Sequence, residues 1–141
     1  MKIDHIGIAT RGIREASQFW RDSLGIEAAD IEEVHEQKVR VAMLPIGQSC
    51  IELLEATSPD SPIARFLEKR GPGIHHLAIN VADINMALTR LKQQGARLID
   101  SEPRRGAGGC LIAFVHPSST GGVLLELVQR PRGTSLAEDQ H

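Results

Sequence analysis

The chain has 141 residues, 41% hydrophobic and 24% charged, which is enough for one sizeable core. Its 16 basic and 18 acidic residues are mixed along its length and leave a formal charge of −2, excluding a basic face for nucleic acid or a polybasic membrane patch. Two cysteines, Cys50 and Cys110, are too few for a disulfide framework, and no apolar run approaches a membrane span, so the expectation is a cytoplasmic protein that works on small molecules.

Lys2 to Ala9 alternates as a strand does, with His5, Gly7 and Ala9 on one face and Asp4, Ile6 and Ile8 on the other. That pattern predicts His5 pointing into a cavity. Ile13 to Leu24 places Ile13, Ala16, Phe19, Trp20 and Leu24 at helical spacing, and Gly25 suits the C-terminal cap. Glu27 to Val34 reads as a strand, His35-Glu36-Gln37 as a polar turn, and Lys38 to Leu44 as another strand carrying Val39, Val41 and Met43 on one side. Pro45 and Gly47 turn the chain into a last strand, Ser49 to Glu55, so the first half reads βαβββ.

Thr57-Ser58-Pro59-Asp60-Ser61-Pro62 marks a linker with one short helix, Ile63 to Arg70, capped by Ser61 and stopped at Gly71. The second half repeats the order: strand Ile74 to Val81, helix Ile84 to Gln94, then strands Arg97 to Ser101, Cys110 to Val115 and Val123 to Gln129. Pro103-Arg104-Arg105-Gly106-Ala107-Gly108-Gly109 forms a glycine-rich loop without dinucleotide or P-loop spacing. The expected organisation is one domain over 1–141: module 1 at about 2–56, linker helix 57–72, module 2 at about 73–130, and a frayed polar tail at 131–141.

Gly73-Ile74-His75-His76-Leu77-Ala78-Ile79-Asn80 repeats in kind the opening Ile3-Asp4-His5-Ile6-Gly7-Ile8-Ala9, at an offset of 71 residues. The same offset lays Ile13 on Ile84, Ala16 on Ala87 and Trp20 on Leu91. Each half also closes alike, with Ile51-Glu52-Leu53-Leu54-Glu55 and Val123-Leu124-Leu125-Glu126-Leu127-Val128. A carboxylate among apolar β-formers costs several kcal/mol to bury unless it is paired or bound to a cation. His5, Glu52, His76 and Glu126, placed alike in two related units, therefore point to one shared metal site. Imidazole and carboxylate without thiolate suit Co, Mn, Ni, Fe or Zn in an open, catalytic arrangement. His75 is the rival of His76; the repeat pairs it with Asp4, and strand alternation sends it to the opposite face, which selects His76. His35 and His116 lie beside turns and read as surface groups.

Asp4-His5-Ile6-Gly7-Ile8-Ala9, Glu36-Gln37-Lys38-Val39-Arg40-Val41-Ala42, Ile51-Glu52-Leu53-Leu54-Glu55, Gly73-Ile74-His75-His76-Leu77-Ala78 and His116-Pro117 with Gly121-Gly122-Val123-Leu124-Leu125-Glu126-Leu127 together resemble the vicinal-oxygen-chelate superfamily, and within it the methylmalonyl-CoA epimerases. The resemblance implies an α+β fold in which two tandem βαβββ modules make a cupped mixed sheet around a metal. It implies ligands at His5, His76 and Glu126, with Glu52 bound directly or through water, and a divalent cofactor: cobalt first, then manganese, nickel or zinc. The implied partner is a CoA thioester, with proton exchange at C2 of methylmalonyl-CoA interconverting its 2R and 2S forms, Glu36 and Glu126 serving as acid and base on the two faces, and a homodimer as the assembly. Arg104 and Arg105 are candidates to meet CoA phosphates. The alternatives are a glyoxalase I-type isomerase with the same ligands, a ring-cleaving dioxygenase, for which Glu52 is superfluous, and a metal-free binding protein, which usually relies on more aromatic stacking than Phe19, Trp20, Phe66 and Phe114 offer.

Overall fold

A computed structural model describes residues 1–131. The elements are β1 (Lys2–Ala9), α1 (Ile13–Leu24), β2 (Asp30–Val34), β3 (Val39–Ile46), β4 (Ser49–Ala56), α2 (Pro62–Arg70), β5 (Gly73–Asn80), α3 (Ile84–Gln93), β6 (Arg104–Arg105), β7 (Leu111–Val115) and β8 (Leu125–Gln129). One 3-10 turn each covers His35–Gln37, Ala107–Gly109 and Pro117–Ser119. All eight strands join one mixed sheet in the order β2-β3-β4-β1-β5-β8-β7-β6. Each half thus runs outward from its own first strand, and the two first strands meet antiparallel at the centre. The sheet curls into a half-barrel whose concave side holds the cavity.

The apolar periodicity explains which side each helix takes. Ile13, Ala16 and Trp20 of α1 pack on Ile8, Ala42, Leu44 and Leu53, while Ile84, Ala87, Leu88 and Leu91 of α3 pack on Ile79, Val81, Ala113, Val115 and Leu127. Both helices therefore cover the back of the sheet. The first turn of each is tied to the closing strand of its own module: Ile13 N–H donates to Glu55 Oε1 at 3.0 Å and Ile84 N–H to Gln129 Oε1 at 2.8 Å. The linker helix α2, capped by Ser61 Oγ, instead leans Ile63 and Phe66 on Ala9, Val39, Val41 and Leu54, closing one end of the cup.

Four expectations shift. The strand over Arg97 to Ser101 is reduced to a single bridge, Leu98 to Val115, because Phe114 N–H is taken by Asp100 Oδ2 and Pro103 has no N–H to extend a ladder; the edge strand forms at Arg104–Arg105 instead. Lys38 belongs to the turn and not to β3, since it holds left-handed backbone (φ 55, ψ 46) and ends the 3-10 turn. β2 starts at Asp30, three residues late, and β8 at Leu125. The tail reading falls on 132–141, outside the described residues.

Candidate active site

The register of the central strands sets the site. Gly7 pairs with Glu52 on one side and His76 on the other, and Ala78 pairs with His5 and Glu126. Two adjacent rows, Glu52-Gly7-His76 and His5-Ala78-Glu126, hence point four functional side chains into the cup from above two small residues. Gly7 is required by space, not by backbone conformation: a Cβ there would lie 2.2 Å from Cε1 of His76. All four side chains are buried, with residue exposures between 4% for His5 and 6% for Glu52 and His76.

Three atoms converge. His5 Nε2 lies 3.0 Å from His76 Nε2 and 2.9 Å from Glu126 Oε1, and His76 Nε2 lies 3.1 Å from the same oxygen. Despite this crowding, no N–H is aimed at Glu126 Oε1, a buried oxygen without a hydrogen bond among the described residues. A triangle of donor atoms with edges near 3 Å is what bonds of roughly 2.0–2.2 Å at right angles to one ion would give. One ligand atom from each of His5, Glu52 and His76 also falls within 4.8 Å of the others. These residues could hold a divalent metal ion, and the nitrogen and oxygen donor set fits one.

The electrostatics agree. Burial disfavours charge on His5, yet the surrounding Glu52, Asp4 and Glu126 carboxylates outweigh it and pull its imidazole up to about 10. Burial likewise opposes ionised Glu126, but the two histidines bring it down to about 2, whereas burial prevails at Glu52 and raises it. The carboxylates thus favour positive charge at the centre of the cluster, a preference that a divalent cation would meet.

Two bulges revise the sequence reading of the first strands. Between Ile3 and His5 of β1, and between Gly7 and Ile8 opposite it, the register slips by one residue, leaving Asp4 and His75 unpaired. Both therefore turn into the cavity instead of away from it, and both line its wall. Asp4 Oδ1 accepts from His5 Nδ1 at 2.8 Å, and Arg130 grips the same carboxylate with Nε at 2.8 Å and Nη2 at 3.1 Å. Burial would raise Asp4, but these bonds hold it well below the usual carboxylate range. His75 Nδ1 stands 2.9 Å from His76 Nδ1, its ring edge-on to Phe66 at 5.0 Å, and burial pushes it down to about 4. Asp4, Arg130 and His75 were absent from the expected site. The available signal was the pair of polar residues in the same place, one before each histidine.

The cavity measures about 390 Å³ and carries Val39, Val41, Met43, Leu54, Ile112 and Phe114 on its apolar wall. Glu36 stands on its wall, exposed, and makes no hydrogen bond or ion pair among the described residues. Lys38, paired with Asp60, and Arg104, 3.1 Å from Asp100 and 5.8 Å from the Phe114 ring, also border it, whereas Arg105 does not. His35 is exposed as expected; His116 is half-buried and caps the Pro117–Ser119 turn. Both thiols are buried and free, pushed up to about 12 at Cys50 and about 11 at Cys110 mainly by that burial. No helix among the described residues is long and apolar enough to cross a membrane.

Residues 4–114 match the Glyoxalase/Bleomycin resistance protein/Dioxygenase superfamily. The chain is 38% identical over 130 residues to the ethylmalonyl-CoA/methylmalonyl-CoA epimerase of Cereibacter sphaeroides, covering 91% of this chain and 97% of the relative. It is 37% identical over 129 residues to the mitochondrial methylmalonyl-CoA epimerase of Bos taurus, covering 91% and 74%. A solved variant of the Streptomyces coelicolor methylmalonyl-CoA epimerase, in complex with 2-nitronate-propionyl-CoA, superposes with a TM-score of 0.91 at 39% identity over 94% of this chain and 96% of its own. With its paired modules and its cavity of two histidines and two glutamates, the chain belongs to the methylmalonyl-CoA epimerase family of that superfamily.

Proposed function

We propose that this protein is a methylmalonyl-CoA epimerase, an isomerase that exchanges the C2 proton of methylmalonyl-CoA through an enolate. The convergence of His5 Nε2, His76 Nε2 and the unbonded Glu126 Oε1 in the cavity supports metal-assisted proton transfer, and the 37–39% identity to methylmalonyl-CoA epimerases over more than nine-tenths of the chain supports this substrate over that of a glyoxalase with the same ligands. His5, His76 and Glu126 would hold a divalent ion, with Glu52 beside them, and cobalt heads the candidates. When bound, such an ion supplies Lewis-acid stabilisation for negative charge on the thioester and carboxylate oxygens of the substrate.

Inversion needs a proton-transfer group on each face of a planar intermediate, because a single base returning its proton to the same face gives no net change. Glu126 takes one face from the cavity floor, and Glu36 takes the other from the wall. Glu126 is ionised at neutral pH and weakly basic, which suits a group that also serves as a ligand. The unpaired carboxylate of Glu36 is free to accept a proton from C2 or return one. Val39, Val41 and Phe114 give the same space an apolar wall.

The assembly we propose is a homodimer joined through the back of the central strands. Ile6 lies opposite Leu77 there, both half-buried, and Ile3 and Ile74 are 48% and 68% exposed.

The deciding experiment incubates purified protein and cobalt with one enantiomer of methylmalonyl-CoA in deuterated water. Deuterium at C2 accompanied by formation of the other enantiomer is expected; no label and no inversion would overturn the proposal.

A further inference from the structure

We infer that His75 is a positioning residue for His76, the counterpart in module 2 of what Asp4 is for His5, and that the two metal-facing histidines are thereby made unequal donors. The inference rests on the metal reading above and deepens it. It starts from the two bulges, which occupy equivalent places 71 residues apart in the repeat and turn the residue before each histidine toward that histidine's outer nitrogen.

An imidazole that offers Nε2 to a cation must carry its proton on Nδ1, and that N–H, once buried, needs an acceptor. For His5 the acceptor is Asp4 Oδ1 at 2.8 Å. For His76 the atom within reach is His75 Nδ1 at 2.9 Å, which fixes His75 as the tautomer with its own proton on Nε2. The geometry holds His75 in that role. Its backbone sits in the bulge, and its ring is fixed edge-on by Phe66 at 5.0 Å and by His76 at 5.2 Å.

The two outer partners differ in charge. Asp4 is a carboxylate, so it draws the Nδ1 proton of His5 outward and leaves Nε2 electron-rich; part of that effect is offset by Arg130. His75 is a neutral acceptor and does much less to His76. His5 is then the strong anchor, and His76, whose ring also lies over Gly7 and beside Phe114, is the donor most sensitive to its outer bond.

The test separates the acceptor from the ring. His75→Asn keeps an acceptor close to the position of Nδ1, whereas His75→Phe keeps an aromatic ring against Phe66 and has no acceptor. Cobalt(II) affinity is measured on the full chain by competition with a chelator, alongside the visible spectrum of the cobalt form and the thermal midpoint. His75→Phe should bind cobalt about 10–100-fold more weakly, the usual loss when an outer partner of a ligand is removed, with an altered spectrum, while His75→Asn stays within about threefold of the wild type. Wild-type affinity in His75→Phe would overturn the inference and leave the metal reading standing, as would an equal loss in both variants, which would mark a packing role. Failure of the wild-type chain to bind a stoichiometric ion would overturn both.

Discussion

Gly7 shows how much a single hydrogen can decide. Its Cα faces the His76 ring so closely that a methyl group would require the ring to move, yet its backbone is ordinary strand. Gly7→Ala is therefore expected to fold with an unchanged circular dichroism spectrum while losing at least about tenfold in metal affinity, as disturbed ligand support does elsewhere. Ala78, the equivalent position in the other row, already carries its methyl group. Glu36 is tested by chemistry instead of space. Glu36→Gln removes basicity and keeps the shape, so metal content and substrate affinity should stay near wild type while turnover falls about 10²–10⁴-fold, the usual share of a positioned general base. Followed separately, one enantiomer should still exchange its C2 hydrogen with deuterated solvent while net epimerisation is lost. Near-normal epimerisation would return Glu36 to a solvated charge in a turn.

Among the elements, β1 is tied to the residue that follows β8 by the Asp4–Arg130 pair, whose side chains are only 1% exposed at the carboxylate and 10% at the guanidinium. Removing one partner strands a buried charge, so Arg130→Met should destabilise the fold by about 3–5 kcal/mol, read as a lowered denaturation midpoint. The pH dependence has a definite sign. Asp4 is depressed in the folded protein, so its contribution is complete above its ordinary value of 3.8 and is lost as the pH falls toward the lower folded value; in Arg130→Met that acid-side loss should shrink.

The same strands show where a sequence stops being informative. Helical spacing in Ile13 to Leu24 and Ile84 to Gln94 and the alternation in Val39 to Met43 are set by which side chains face the core, so those elements could be read directly. Period-two alternation assumes an unbroken ladder, however, and the breaks at Asp4 and His75 depend on how two strands distant in sequence meet. Asp4 and His75 were assigned to the wrong face for that reason. The four residues expected to converge do lie together, because their positions follow from repeat equivalence, which a bulge shared by both halves leaves intact.

For the molecule as a whole, the back of the central strand pair makes assembly testable. Ile3 and Ile74 are equivalent in the repeat and both stand out from that surface. The wild-type chain should sediment as a dimer at micromolar concentration and Ile74→Glu should shift toward monomer; a wild type that is monomeric throughout would remove the homodimer from the proposal. The two rows across the centre have a different bearing. Glu52 is in register with His76, and Glu126 with His5, so each row takes one donor from either module and neither module contains a complete set. A bound ion would accordingly behave as a clasp between two interlocked halves: stripping it with a chelator should loosen the seam between β1 and β5 before either outer edge of the sheet, so that hydrogen exchange quickens first along the line where the two halves meet.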